Sequence, residues 1–122
     1  MFVLLEHRRA ADLHWDLLIE LAGQDRLPAW RLLQNPLDTP FPINAERIDD
    51  HRRAYLDYEG EISGGRGFVR RLDRGPAEVR AFDDARVLLV LGGEDLRGRF
   101  ELLCEGNQTW RMRRVDQSEP RP

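Results

Sequence analysis

Short alternating or β-rich runs recur along this 122-residue chain, each closed by a turn signal, and no segment carries an amphipathic pattern of convincing helical length. The pattern predicts strands near 2–7, 14–22, 29–34, 66–73, 76–82, 86–91, 97–104 and 109–115. The punctuation falls at Gly23, at Gly60 with Gly64, Gly65 and Gly67, at Gly75-Pro76, at Gly92-Gly93 and at Gly106-Asn107. About eight strands at this spacing predict a mainly β fold, a compact antiparallel β-barrel, closed or nearly so, with long loops and at most short helices. Residues 35–48, with Pro36, Pro40 and Pro42, read as a shaped loop, and the stretch from Asp49 to Gly60 as opening with a helical turn. One domain over 1–116 is expected, with 117–122 as a frayed tail.

Composition limits the function classes. Hydrophobic residues are 41% and charged residues 34%, which suits a globular chain, and no apolar run approaches the roughly 20 residues a membrane span requires. The opening Met1 to His7 is too short and too soon charged for a secretory signal, so a cytoplasmic location is the expectation. The single cysteine, Cys104, excludes an internal disulfide and a zinc ribbon. A monomer is the default. Net charge is −3, which excludes a general nucleic-acid magnet. All 19 basic residues are arginine, most simply by codon bias, though guanidinium groups also suit bidentate phosphate contacts. Four adjacent pairs occur, Arg8-Arg9, Arg52-Arg53, Arg70-Arg71 and Arg113-Arg114. On strands the members of a pair face opposite ways, so they cannot all line one groove.

Chemistry concentrates in two places. His7, His14 and Asp16 lie within ten residues, flanked by apolar runs that read as strands. On a strand His14 and Asp16 share a face, and an adjacent strand could bring His7 to them. Two imidazoles and a carboxylate can hold a divalent transition metal and leave positions open for water or substrate. A hydrogen-bonded structural histidine and a turn-capping aspartate remain the alternative on these residues alone. The second concentration is His51 with Tyr55, which share one side if a helical turn begins there. His51 could donate a hydrogen bond to an anionic oxygen or act as a general acid. The nearby glycines at 60, 64, 65 and 67 suit a tight hairpin or bulge.

Together these segments resemble the 3′-phosphoesterase domain of bacterial DNA ligase D and its free-standing relatives. The matching runs are Phe2 to His7 with Leu13-His14-Trp15-Asp16, then Asp50-His51 with Tyr55 to Gly60 and Ile62 to Gly67, and more weakly Gly98 to Leu102 with Trp110 to Arg113. The resemblance implies a β-barrel whose groove holds manganese and a DNA 3′ end, trimming a terminal ribonucleotide or a 3′-phosphate for a separate polymerase or ligase during DNA repair. Carried over, His7, His14 and Asp16 would ligate the metal, with His51 and Tyr55 at the scissile phosphate. The family carries arginines where this chain has Leu18 and, near the second motif, Ile43. Arg8, Arg9, Arg31, Arg47 and Arg52 are the candidates to bind phosphate in their place. Those two departures keep open a second reading, a catalytically weak or inactive module that binds phosphate or DNA ends.

Overall fold

Each alternating run in the sequence becomes a strand because it has two different neighbours to satisfy. The computed structural model describes residues 1–115. Its elements are β1 (Phe2–Arg9), β2 (Asp12–Ile19), β3 (Arg26–Leu32), β4 (Ile43–Arg52), a 3-10 turn (Arg53–Leu56), β5 (Gly60–Glu61), β6 (Phe68–Gly75), β7 (Ala77–Phe82), β8 (Arg86–Gly92), β9 (Arg97–Gly106) and β10 (Thr109–Arg114). They form one antiparallel sheet in the order β5-β6-β1-β2-β3-β4-β10-β9-β8-β7. The mainly β class and the near absence of helix are as expected. No described helix is long and apolar enough to cross a membrane. The expected tail at 117–122 lies outside the described residues.

One expectation needs correction. Residues 43–52 are a strand, not the end of a loop followed by a helical turn. Ile43 and Ala45 alternate into the core, but the prolines before them and the charged run Asp49 to Arg53 after them hide the pattern. β4 is recognisable only through its partners, β3 on one side and β10 on the other. The helical turn starts later, at Arg53.

The sheet curls until β6 lies against β8, yet its hydrogen-bond ladder stays open, with β5 and β7 as its edges. Asp73 bridges the gap. Its buried carboxylate accepts the backbone N–H groups of Arg74, Glu94, Asp95 and Leu96, fastening β6 to the β8–β9 turn. Gly93 makes this approach feasible, because a Cβ there would stand 2.4 Å from Asp73 Oδ2 and 2.7 Å from Phe2 Cζ. At the other face of this region, Glu101 is clamped between Arg86 and Arg113 at 2.6 and 2.7 Å.

Apolar residues bury both faces of the central strands. Phe2, Leu4, Leu17, Ile19, Trp30 and Leu32 join residues of β8, β9 and β10 in the main core within the curl. Val3, Leu5, Leu18, Leu27, Ala29, Leu56 and Val69 form a smaller cluster on the opposite face, beneath the 3-10 turn and Ile62. That second face leads to His7, His14 and Asp16, the candidate site residues.

Burial raises the Asp73 pKa, but the N–H groups of Leu96, Arg74, Asp95 and Glu94 outweigh it and hold the carboxyl below its ordinary 3.8. A depressed folded-state value stabilises the fold fully above the ordinary one, and that contribution disappears as pH falls through the folded value. Asp73→Asn should therefore cost about 2–4 kcal/mol near neutrality, since it weakens several charge-assisted bonds. Urea unfolding from about pH 5 to about pH 2 checks this: the gap between wild type and variant should narrow on acidification.

Candidate active site

The β1–β2 hairpin builds the centre of the site. Arg9 pairs with Asp12 across a two-residue turn, and the same register sets His7 directly opposite His14 and Leu5 opposite Asp16. His7 follows Val3 and Leu5 along one face of β1, and His14 and Asp16 precede Leu18 on the matching face of β2. The three side chains thus emerge together where the small apolar cluster ends. His14 and Asp16 are buried, and His7 is half-buried.

Their ligand atoms converge. His7 Nδ1 lies 2.9 Å from His14 Nε2, His14 Nε2 lies 3.5 Å from Asp16 Oδ1, and all three potential ligand atoms fall within 4.8 Å of one another. Atoms bound about 2.0–2.2 Å from a common ion stand about 3.0–3.5 Å apart, so little rearrangement is needed. Hydrogen bonding supports the same use. His7 Nε2 must donate to the Arg66 carbonyl, 2.7 Å away, which leaves Nδ1 of the neutral ring as a lone pair aimed at His14. Two ring nitrogens at 2.9 Å need a proton or a cation between them. Asp16 Oδ1 and His14 Nδ1 are buried without a hydrogen-bond partner. Asp12 Oδ2 stands 3.5 Å from that Nδ1, near enough for attraction but not aligned for a bond. The donor set could hold a divalent metal ion.

His51 and Arg31 complete the surroundings. Pro28 cannot donate to the ladder, and the β3–β4 register shifts around it so that His51 pairs with Leu27. His51 Nδ1 donates to the Asp49 carbonyl at 2.9 Å, leaving Nε2 directed towards Asp16 Oδ2, 3.9 Å away. Tyr55, in the 3-10 turn, meets the His51 ring edge-on at 5.5 Å. The two rings meet because β4 runs straight into that turn, although His51 is not itself helical. Arg31 pairs with Asp16 across β2–β3, its Nε 4.0 Å from Oδ1, buried and without a hydrogen-bond partner.

The remaining arginines divide. Arg8 and Arg9 are exposed at the hairpin tip, with Arg9 on the His7 side. Arg52 is exposed beside Tyr55, 5.9 Å above its ring. Arg47 faces away: its guanidinium lies 4.6 Å from the Trp30 ring and bonds the Ala29 and Ile48 carbonyls and Asp50. Leu18 and Ile43 are fully buried, one in each core, so neither position reaches the site. Arg31 lies outside both motifs and stood as one of five candidate arginines in the sequence; its register with Asp16 is what sets it apart from the other four. The Arg66 backbone carbonyl escaped the motif reading, because a main-chain oxygen leaves no signal in a side-chain sequence.

Gly67 keeps that carbonyl in place. It has φ of +100°, and a Cβ there would lie 2.3 Å from the Arg8 carbonyl oxygen. Gly67→Ala should push the 62–67 hairpin off β1 at a cost of about 1–3 kcal/mol. Nitrogen NMR of the His7 ring checks it, with Nε2–H exchanging faster in the variant and unaltered exchange contradicting the link.

The model of the DNA ligase D 3′-phosphoesterase domain family matches residues 6–104. The chain is also 33% identical over 105 residues to the multifunctional non-homologous end joining protein LigD of Pseudomonas aeruginosa, an alignment covering 77% of this chain and 12% of that protein. The chain therefore corresponds to a small part of that relative's length. Because the family match takes in the hairpin that carries His7, His14 and Asp16 together with the strand that carries His51, the chain belongs to the DNA ligase D 3′-phosphoesterase domain family.

Proposed function

We infer that this chain is a metal-dependent phosphoesterase that trims DNA 3′ ends, removing a terminal ribonucleotide or a 3′-phosphate in DNA repair and leaving a 3′-hydroxyl. The observation that carries this reading is the convergence of His7 Nδ1, His14 Nε2 and Asp16 Oδ1, with His51 and Arg31 both next to the same carboxylate. His7, His14 and Asp16 would hold the ion, and manganese is our choice. Bound there, a divalent ion supplies neutralisation of phosphate charge and activation of water as the nucleophile.

The protein's own groups have separate tasks. Arg31 places a guanidinium beside the donor set, where its partly exposed head can hydrogen-bond non-bridging phosphate oxygens. His51, its Nδ1–H fixed on Asp49, presents Nε2, which when protonated can donate to the developing oxyanion or the leaving oxygen. Tyr55 braces the ring. Arg8, Arg9 and Arg52 would meet the DNA backbone further out, whereas Arg47 is held on the other face. A separate ligase or polymerase would use the trimmed end, and the acting form is a monomer.

A second reading, a module that binds DNA 3′ ends without turnover, draws on the complete burial of Leu18 and Ile43, which removes two possible phosphate-facing positions. One experiment separates the two. Wild type with Mn²⁺ and a primer-template bearing either terminus should release product, and saturable binding with no product would favour the module. His14→Ala should weaken Mn²⁺ binding by at least about 10- to 100-fold in titration calorimetry, and full retention would refute its ligand role. Arg31→Met should lower kcat/KM by about 10- to 100-fold through loss of a charged hydrogen bond, with Arg31→Lys recovering only part.

A further inference from the structure

Beside His51 the surface opens into two adjoining depressions that the metal centre does not use. The first, about 440 Å³, is lined by Arg26, Arg52, Arg66 and Tyr55 together with His51 and the acidic pair Asp49-Asp50. Asp50 is already bound to Arg47 at 3.0 Å, so three guanidinium groups outweigh the acids there. The second, about 230 Å³, is a slot between the 3-10 turn and the 61–66 turn. Tyr55 and Tyr58 line one wall, Ile62 and Ser63 the other, and Arg52 and Arg66 belong to both depressions.

The slot is ordered by its own contacts. Tyr58 stands edge-on to Tyr55, with ring centroids 5.9 Å apart, and its hydroxyl donates to the Glu61 carbonyl across the slot. Arg66 is held by the Ser63 carbonyl and hydroxyl. Tyr58 nevertheless remains 39% exposed, a large aromatic surface kept partly in water. An aromatic and apolar interior with hydrogen-bonding cations at the mouth suits a flat ring that has apolar faces and polar edges.

We propose that this slot receives the nucleobase of the nucleotide whose 3′ oxygen bears the reacting phosphate, which is the terminal nucleotide of a 3′-phosphate end and the penultimate one where a terminal ribonucleotide is removed, with Tyr58 as its stacking surface. The inference rests on the phosphoesterase reading for its orientation. A phosphate beside His51 places the attached nucleoside within the depression that shares Arg52, Tyr55 and Arg66 with the slot. Stacking is sequence-tolerant because every base has a π face, so the slot grips an end without selecting its sequence. Tyr58 is thus a positioning residue, acting on the base and not on the phosphate.

The test is binding without turnover. A primer-template ending in 2-aminopurine nucleotide 3′-phosphate, with no metal added, should show saturable quenching on titration with wild-type protein. Tyr58→Ala should weaken binding on the order of tenfold, within the range of base–aromatic stacking, and Tyr58→Phe should bind close to wild type. A matching end with an abasic terminal nucleotide, followed by a label on the opposite end of the duplex, should bind wild type about tenfold more weakly and ignore the Tyr58→Ala change. Equal wild-type affinity for the two ends overturns the proposal, even if Tyr58→Ala fails to fold. Equal losses on both ends assign Tyr58 a structural role and overturn it as well. Quenching with no product under Mn²⁺ retains the slot and removes the phosphoesterase reading.

Discussion

The pairing register of β1 with β2 is the constraint on which the site depends. A two-residue turn joins Arg9 to Asp12, so His7 and His14 face each other and Asp16 follows on the same side. A slip of one residue would turn His7 away from His14 and Asp16 and carry each apolar side chain of the slipped strand to the wrong core. Burial on both faces prevents it. Phe2, Leu4, Leu17 and Ile19 belong to one core while Val3, Leu5 and Leu18 belong to the other, so no shifted register satisfies both. The apolar packing at one end of the hairpin thereby fixes the chemistry at the other.

Hydrogen bonding then decides how those groups present themselves. The carbonyls of Arg66 and Asp49 each take a ring N–H, from His7 and His51, and so direct the opposite nitrogens inward. Arg31 adds a fixed positive charge next to Asp16. A cation so close competes with a metal for the charge of Asp16, but it complements an anion bound to that metal. Under the proposed function, the arrangement would therefore suit a metal engaged with phosphate better than a simple metal store.

Away from the site, buried carboxylates do work that ladder bonds leave undone. Asp73 collects four backbone N–H groups where β6 passes the β8–β9 turn, and Glu101 holds Arg86 and Arg113 together across neighbouring strands. The curl that lays β6 against β8 is thus secured by Asp73 and core packing, with the sheet edges left unpaired to each other.

Strand alternation, turn residues and the lack of helical periodicity fixed the β class, because those signals are local. They were enough for β1, β2, β3 and the strands from β6 onwards, with bounds displaced by a few residues. They failed at β4, whose only clear evidence is pairing with β3 and β10, strands distant from it in different directions along the chain. The histidines and Asp16 were legible as a motif, since alternation places them on one face. The Arg66 carbonyl and the Tyr55–Tyr58 slot were not, because each matters through a neighbour that only the folded chain supplies, and Arg31 was legible only as one of five candidate arginines until its register with Asp16 was known. The sequence by itself determined which side chains could carry the chemistry. Tertiary structure decided which of them meet, through register, bulge and the curl of the sheet, and it put Arg31 beside Asp16 while holding Arg47 on the opposite face.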